Sequence, residues 1–142
     1  MLLVALVSCG KSVSYTYTSD LGDEVTVSMK TKNGYVLEGN ASTFTVLNGS
    51  KGEHILDAFF LMSDTATTYQ NFMKEDSSYR DLKHGSFSGF YYRTPTDVGM
   101  EHTMILYLTD NTAVCLSTIG EESDFNATIE ALSFSIAVSS KS

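Results

Sequence analysis

Apolar and polar residues alternate along the first third of the chain with the period of two that a half-buried strand requires. Val13, Tyr15 and Tyr17 interleave with Ser14, Thr16 and Thr18. After a turn at Asp20-Leu21-Gly22-Asp23, Val25, Val27 and Met29 interleave with Thr26, Ser28 and Lys30. Asn33-Gly34 then precedes Tyr35-Val36-Leu37. Both turn residues tolerate the positive φ of a type I′ turn, so the spacing predicts a hairpin and, with the first strand, a meander. A further short strand is expected over residues 44–47, closed by the turn-rich stretch Asn48-Gly49-Ser50-Lys51-Gly52.

Residues 55–61 are apolar at nearly every position and predict a buried strand. Ser63-Asp64 supplies an N-cap signal, and a helix is expected over residues 64–75, burying Ala66, Tyr69, Phe72 and Met73. A further strand is predicted over residues 87–93, where Gly89 points to a bulge or a close backbone approach. Residues 94–99, with the single proline at Pro95, read as a loop. Residues 103–109 and 112–119 face each other across Asp110-Asn111 as a second tight hairpin. A final helix is expected from Ser123, its acids placed where the helix dipole favours them and its apolar face carried by Phe125, Ile129 and Leu132.

Ahead of all this stands the run from Met1 to Ser8. Leu6-Val7-Ser8-Cys9, followed by Gly10, resembles the lipobox at which bacterial lipoproteins are cut and lipidated. The resemblance implies that residues 1–8 are a signal remnant, that Cys9 carries the lipid, that residues 9–12 form a short tether, and that residues 13–142 are one domain working outside the cytoplasm. The run is too short to span a bilayer, so the attachment to the membrane is through the lipid.

With 142 residues the chain is long enough for one domain with a real core and too short for two of ordinary size. Its 17 acidic against 9 basic residues give a net charge of -8, with the lysines scattered, which argues against a nucleic-acid partner and against adhesion to anionic lipid through a basic face. If Cys9 is acylated, Cys115 is left alone in Ala113-Val114-Cys115-Leu116, where a thiol behaves as a small buried hydrophobe.

Gly85-Ser86-Phe87-Ser88-Gly89 places Phe87 where a nucleophile elbow needs serine. His54, His84 and His102 show no paired spacing for a metal, and Asp20, Asp23 and Glu24 lack the alternate-oxygen spacing of a calcium loop. No metal or other cofactor is therefore expected. The enzymatic alternative is an envelope hydrolase whose site is assembled from distant residues such as Asp57, His84 and His102. Of these, Asp57 is the one carboxylate set in an apolar run, although a strand-edge or solvent-facing acid accounts for it more simply.

Rings are the remaining signal. Phe87 and Tyr91 fall on one face of their strand, Phe90 and Tyr92 on the other, so both faces are expected to be covered. Tyr91 is expected on the floor under a helix, and Phe90 and Tyr92 are the candidate contacts for a partner. The order of elements resembles the PsbP-like α/β sandwich of extrinsic photosystem proteins and small bacterial lipoproteins. That order is short strands, a buried strand, a helix from Ser63-Asp64, longer strands opening with the glycine-bearing residues 85–92, and a last helix from Ser123. The resemblance implies an α+β fold with a twisted antiparallel sheet between helices, and a non-enzymatic binding or scaffolding role at the cell envelope. The partner expected is an envelope protein or a small ligand.

Overall fold

A computed structural model describes residues 12–30, 34–48 and 53–137. Cys9 and the lipobox-like run lie outside the described residues. Ten strands and two helices follow in the order β1 (Ser12–Thr18), β2 (Glu24–Lys30), β3 (Tyr35–Asn40), β4 (Thr43–Asn48), β5 (Glu53–Met62), α1 (Ser63–Met73), β6 (Arg80–His84), β7 (Phe87–Thr96), β8 (Gly99–Tyr107), β9 (Thr112–Ile119), α2 (Glu122–Glu130) and β10 (Leu132–Ala137). The fold is α+β, built on antiparallel sheet: a seven-stranded sheet in the order β3-β4-β5-β9-β8-β7-β6 and a three-stranded sheet in the order β1-β2-β10.

The large sheet is covered on both faces, by different means. On one face Ala66 of α1 packs over Phe90, Ile105, Ala113 and Cys115. The other face carries the main core, in which Leu56, Phe60, Tyr91, Leu106 and Leu116 meet Val25, Val27 and Met29 of β2, Leu132 and Phe134 of β10, and Phe125 and Ile129 of α2. A helix on each side was the expectation. In fact the three-stranded sheet does most of the covering on the second side, because β2 and β10 each bury alternate apolar residues while α2 buries only Phe125, Thr128 and Ile129.

The meander does not form as expected. β1 and β2 pair antiparallel, but the second neighbour of β2 is β10, and β3 belongs to the other sheet beside β4. Gly34 does hold a positive φ of 80°. It therefore serves a crossing from one sheet to the other, while Asn33 lies outside the described residues.

β10 begins at Leu132, the residue expected on the last helix, because Leu132, Phe134 and Ile136 alternate with Ser133, Ser135 and Ala137. β5 is half-buried and not wholly buried: Leu56, Ala58 and Phe60 enter the core, whereas Phe59 is 41% exposed. α1 buries Ser63 and Ala66, but Phe72 is 81% exposed, so the apolar stripe expected through Tyr69, Phe72 and Met73 is mostly solvated. Ser63 makes no side-chain cap; its hydroxyl donates to the Thr109 carbonyl at 3.0 Å and its N–H to the Asn111 carbonyl at 2.9 Å, fixing the helix start to the β8–β9 turn.

β7 and β8 run on through the expected proline loop, pairing Pro95 with Met100 and Thr96 with Gly99. Pro95 is tolerated because β6 stops at the Arg80–Tyr91 pair, leaving one side of β7 as a free edge. At Gly89 a side chain would run into the Ile105 carbonyl oxygen and Leu106, so the glycine marks a close backbone approach. The register of β7 against β6 passes through Gly89 without a shift, and the pairing with β8 begins there at Gly89–Leu106.

Candidate functional site

The end of β1 and the turn after it stand across a gap from the end of β5, with the β3–β4 turn on one side and the β8–β9 turn on the other. The gap is a cleft of about 850 Å³. Its apolar wall comes from Tyr15, Tyr17, Leu21, Phe60 and Met62, and its polar rim from Thr18, Ser19, Asp20, Ser42 and Asn111. Among the described residues no lysine, arginine or histidine lines it.

Alternation in β1 turns Tyr15 and Tyr17 toward the large sheet, against the main core. Tyr17 stacks on Phe60 with ring centroids 4.3 Å apart and planes 2° apart, and Tyr15 packs on Phe44 at 6.4 Å. The Tyr15 hydroxyl donates to the Ala41 carbonyl, where the β3–β4 turn holds Ala41 at a positive φ of 56°. Gly39 leaves the room that the Tyr15 ring occupies. Burial pushes both phenols above their usual pKa, and the negative charge of Asp20 adds to the rise at Tyr17.

Asp23 lies behind the cleft, bonded to the lining residue Thr112. It is buried, and its Oδ2 accepts hydrogen bonds from the hydroxyls of Thr109 at 2.6 Å and Thr112 at 3.1 Å. Ser19 tightens the β1–β2 turn above it: its hydroxyl accepts from the Asp23 N–H at 3.1 Å. The turns of two different sheets are thereby joined, which fixes the width of the cleft. Of the lining residues only Asp20 stood out in the sequence, as part of a calcium-loop pattern it does not complete; the rest are ordinary strand or turn residues. The one local cue is the uncharged, aromatic alternation of β1.

Asp57, His84 and His102 do not converge. Asp57 pairs with Ser117, Ser117 with Thr103, and Thr103 with Tyr92, which puts Asp57 on the α1 side of the sheet, while His102, next to Thr103, points to the opposite side. His84 shares that opposite side through its pairing with Phe87, but Phe87 and the His102 partner Arg93 are six residues apart on β7, roughly 20 Å.

Each of the three is otherwise engaged. Asp57 accepts from the Thr45 hydroxyl at 3.2 Å and lies 3.2 Å from His54 in an exposed cluster. His84 Nε2 bonds the Leu132 carbonyl at 2.8 Å. His102 is buried, with Nε2 2.8 Å from the Gly120 carbonyl and Nδ1 2.7 Å from the Tyr91 hydroxyl. A carbonyl only accepts, so Nε2 carries the proton and the Tyr91 hydroxyl donates to Nδ1.

Tyr91 is on the core floor as expected, 6.3 Å from Phe125 of α2, with the Arg80 guanidinium 4.0 Å above its ring. Phe90 is corrected: it is fully buried under Tyr79, Tyr92 and Tyr107 and offers no surface to a partner. The roof above it is held by Gln70, whose amide nitrogen donates to Tyr79 at 2.9 Å and whose carbonyl oxygen accepts from Tyr107 at 2.9 Å. Tyr92 remains half-buried at the surface, its phenol pushed up by burial first and by Cys115 next. Cys115 is buried, and desolvation pushes its thiol to about 12, the inert state expected of it.

Among the described residues no three His, Cys, Asp or Glu side chains are grouped to hold a metal ion, and no helix is long and apolar enough to cross a membrane. Comparison with known proteins returns no match to a family model, to a curated protein or to a solved structure.

Proposed function

We propose that the protein is a membrane-tethered binding or scaffolding lipoprotein of the bacterial cell envelope, held by lipid on Cys9 and non-enzymatic. The observation that carries the binding half is the cleft of about 850 Å³ at the junction of the two sheets, an apolar and aromatic wall with a few polar groups at its rim. The tether half rests on the Leu6-Val7-Ser8-Cys9 pattern. Wide separation of Asp57, His84 and His102 takes the support from the hydrolase built on those residues. The PsbP-like relationship belongs to the same proposal. It rests on element order, and it has to accommodate the three-stranded sheet on one face.

Two measurements test the proposal. With a complete N-terminus in a bacterial host, the protein is expected in the membrane fraction and Cys9→Ser in the soluble fraction; equal partition removes the tether. Envelope extracts passed over the domain and over Leu21→Asp, a change at a 65% exposed cleft residue, are expected to yield a partner held by the first and lost by the second. A partner held equally by both places recognition elsewhere, with half-buried Tyr92 the next surface to vary.

A further inference from the structure

The cleft has backbone chemistry as well as side chains. Among the described residues β1 is an edge strand of its sheet, with β2 on one side only. Its first half is shielded where the Tyr15 ring seats against Gly39 and the Tyr15 hydroxyl reaches Ala41. From Thr16 to Thr18 the outer edge faces the cleft. Across the gap, β4 is paired with β5 only as far as Thr43–Phe59, with one further bond from the Phe60 N–H to the Ser42 carbonyl at 2.8 Å. Past that point Leu61 and Met62 have no strand partner on that side among the described residues, and both line the cleft.

Exposed edges are usually defended by charge, proline, a bulge or shortness. The outer edge of the large sheet follows that rule: β6 is five residues long and carries Arg80, Asp81 and Lys83. β1 breaks it, since Ser-Val-Ser-Tyr-Thr-Tyr-Thr has no charge and no proline and pairs with β2 without a bulge. β10 is also an uncharged edge, but none of its residues lines the cleft.

We propose that the cleft takes an extended segment of a partner protein, which adds as a strand to the free edge of β1 at Thr16–Thr18 and lays alternate side chains on the exposed Leu21 and Met62. Main-chain bonds to β1 supply the attachment and the apolar wall supplies the selectivity, as in other cases of strand addition. The same alternation that sends Tyr15 and Tyr17 inward sends every second residue of the added strand inward, so the segment alternates apolar and polar. Asp20 at the cleft rim and the net charge of -8, with no basic lining residue among the described residues, select a segment with a basic residue at the end that meets Asp20. This inference rests on the proposed binding role and names the chemistry of its partner.

The test uses a displayed library of random nine-residue peptides against the described domain. Enriched peptides are expected to alternate apolar and polar positions and to carry Lys or Arg near one end. Binding is expected to shift and protect the amides of Thr16–Thr18. Methylating alternate amide nitrogens of such a peptide is expected to weaken binding at least tenfold in one frame and little in the other, a signature that side-chain docking does not produce. Asp20→Asn is expected to weaken the basic peptides several-fold and uncharged ones little. Strand addition is overturned if no peptide is enriched, if both methylated frames bind alike, or if the β1 amides do not respond. Should an extract partner still be lost on Leu21→Asp in that event, the cleft keeps its binding role and only the strand-adding segment is removed.

Discussion

The carboxylate of Asp23 accepts a hydrogen bond from the hydroxyl of Thr109 at 2.6 Å, joining residues 86 positions apart and, with them, the turns that end two different sheets. Thr109 is a turn residue in its own right, its hydroxyl also accepting from the N–H groups of Asn111 at 3.0 Å and Thr112 at 2.9 Å. A hydrogen bond to a charged acceptor contributes about 1.5–3 kcal/mol when buried. Asp23→Ala is expected to cost about 2–3 kcal/mol in urea unfolding and Thr109→Val about 1–2 kcal/mol. The double variant should lose less than the sum, because both remove the same bond. Strict additivity would show that the clamp carries no energy.

Tyr91 and His102 form a second long-range bond, buried on the core side of the large sheet. Tyr91→Phe keeps the ring against Phe125 and under Arg80 but leaves Nδ1 of His102 without its donor. The expected loss is about 1–2 kcal/mol in chemical denaturation, larger than for Tyr79→Phe, whose hydroxyl is part of an exposed and part-buried network. Equal effects from the two changes would argue that the His102 ring is satisfied without Tyr91.

Cys115 should be silent in the folded protein and audible only on unfolding. Its thiol is raised from an ordinary 9.0 to about 12. A raised folded pKa means that the stabilisation is complete below the unfolded value and is lost as pH rises toward the folded one. Stability is therefore expected to fall between pH 9.0 and about 12, and less steeply in Cys115→Ala. In native protein at pH 8 a thiol-specific reagent should label Cys115 at the rate of global or local opening. Labelling as fast as a free thiol would contradict its burial.

The Arg80–Glu122 pair gives the opposite pH dependence. The guanidinium nitrogen lies 2.7 Å from the Glu122 carboxylate and holds its pKa below the usual 4.5, with Arg93 4.0 Å away on the other oxygen. A lowered folded pKa gives stabilisation that is present above 4.5 and lost as pH falls through the folded value. The pair is a third to a half exposed, so the effect is small and salt-screened. Arg80→Ala is expected to flatten the acid limb of the stability curve in low salt and to change its shape little in high salt; a uniform, pH-independent loss at both salt levels would point to lost packing on Tyr91 instead.

The alternation of β1, β2 and β7, the opposite facing of Tyr91 and Phe90, the hairpin of β8 and β9, the inert Cys115 and the positions of both helices follow from the sequence by itself, because side-chain period and turn chemistry are local properties. Strand partners are not local. β2 takes β10 as its second neighbour, about a hundred residues on, and the two strands together turn alternate apolar residues into the main core, while β3 pairs with β4 in the other sheet. β6 escaped notice since an edge strand needs little apolar surface, and of its residues only Leu82 is a hydrophobe packed on the core. Phe72 stayed exposed because an apolar stripe predicts which residues share a face, while the sheet beneath decides how far that face is covered. The cleft, assembled from the ends of four separate segments and held by Asp23, exists only once both sheets have packed.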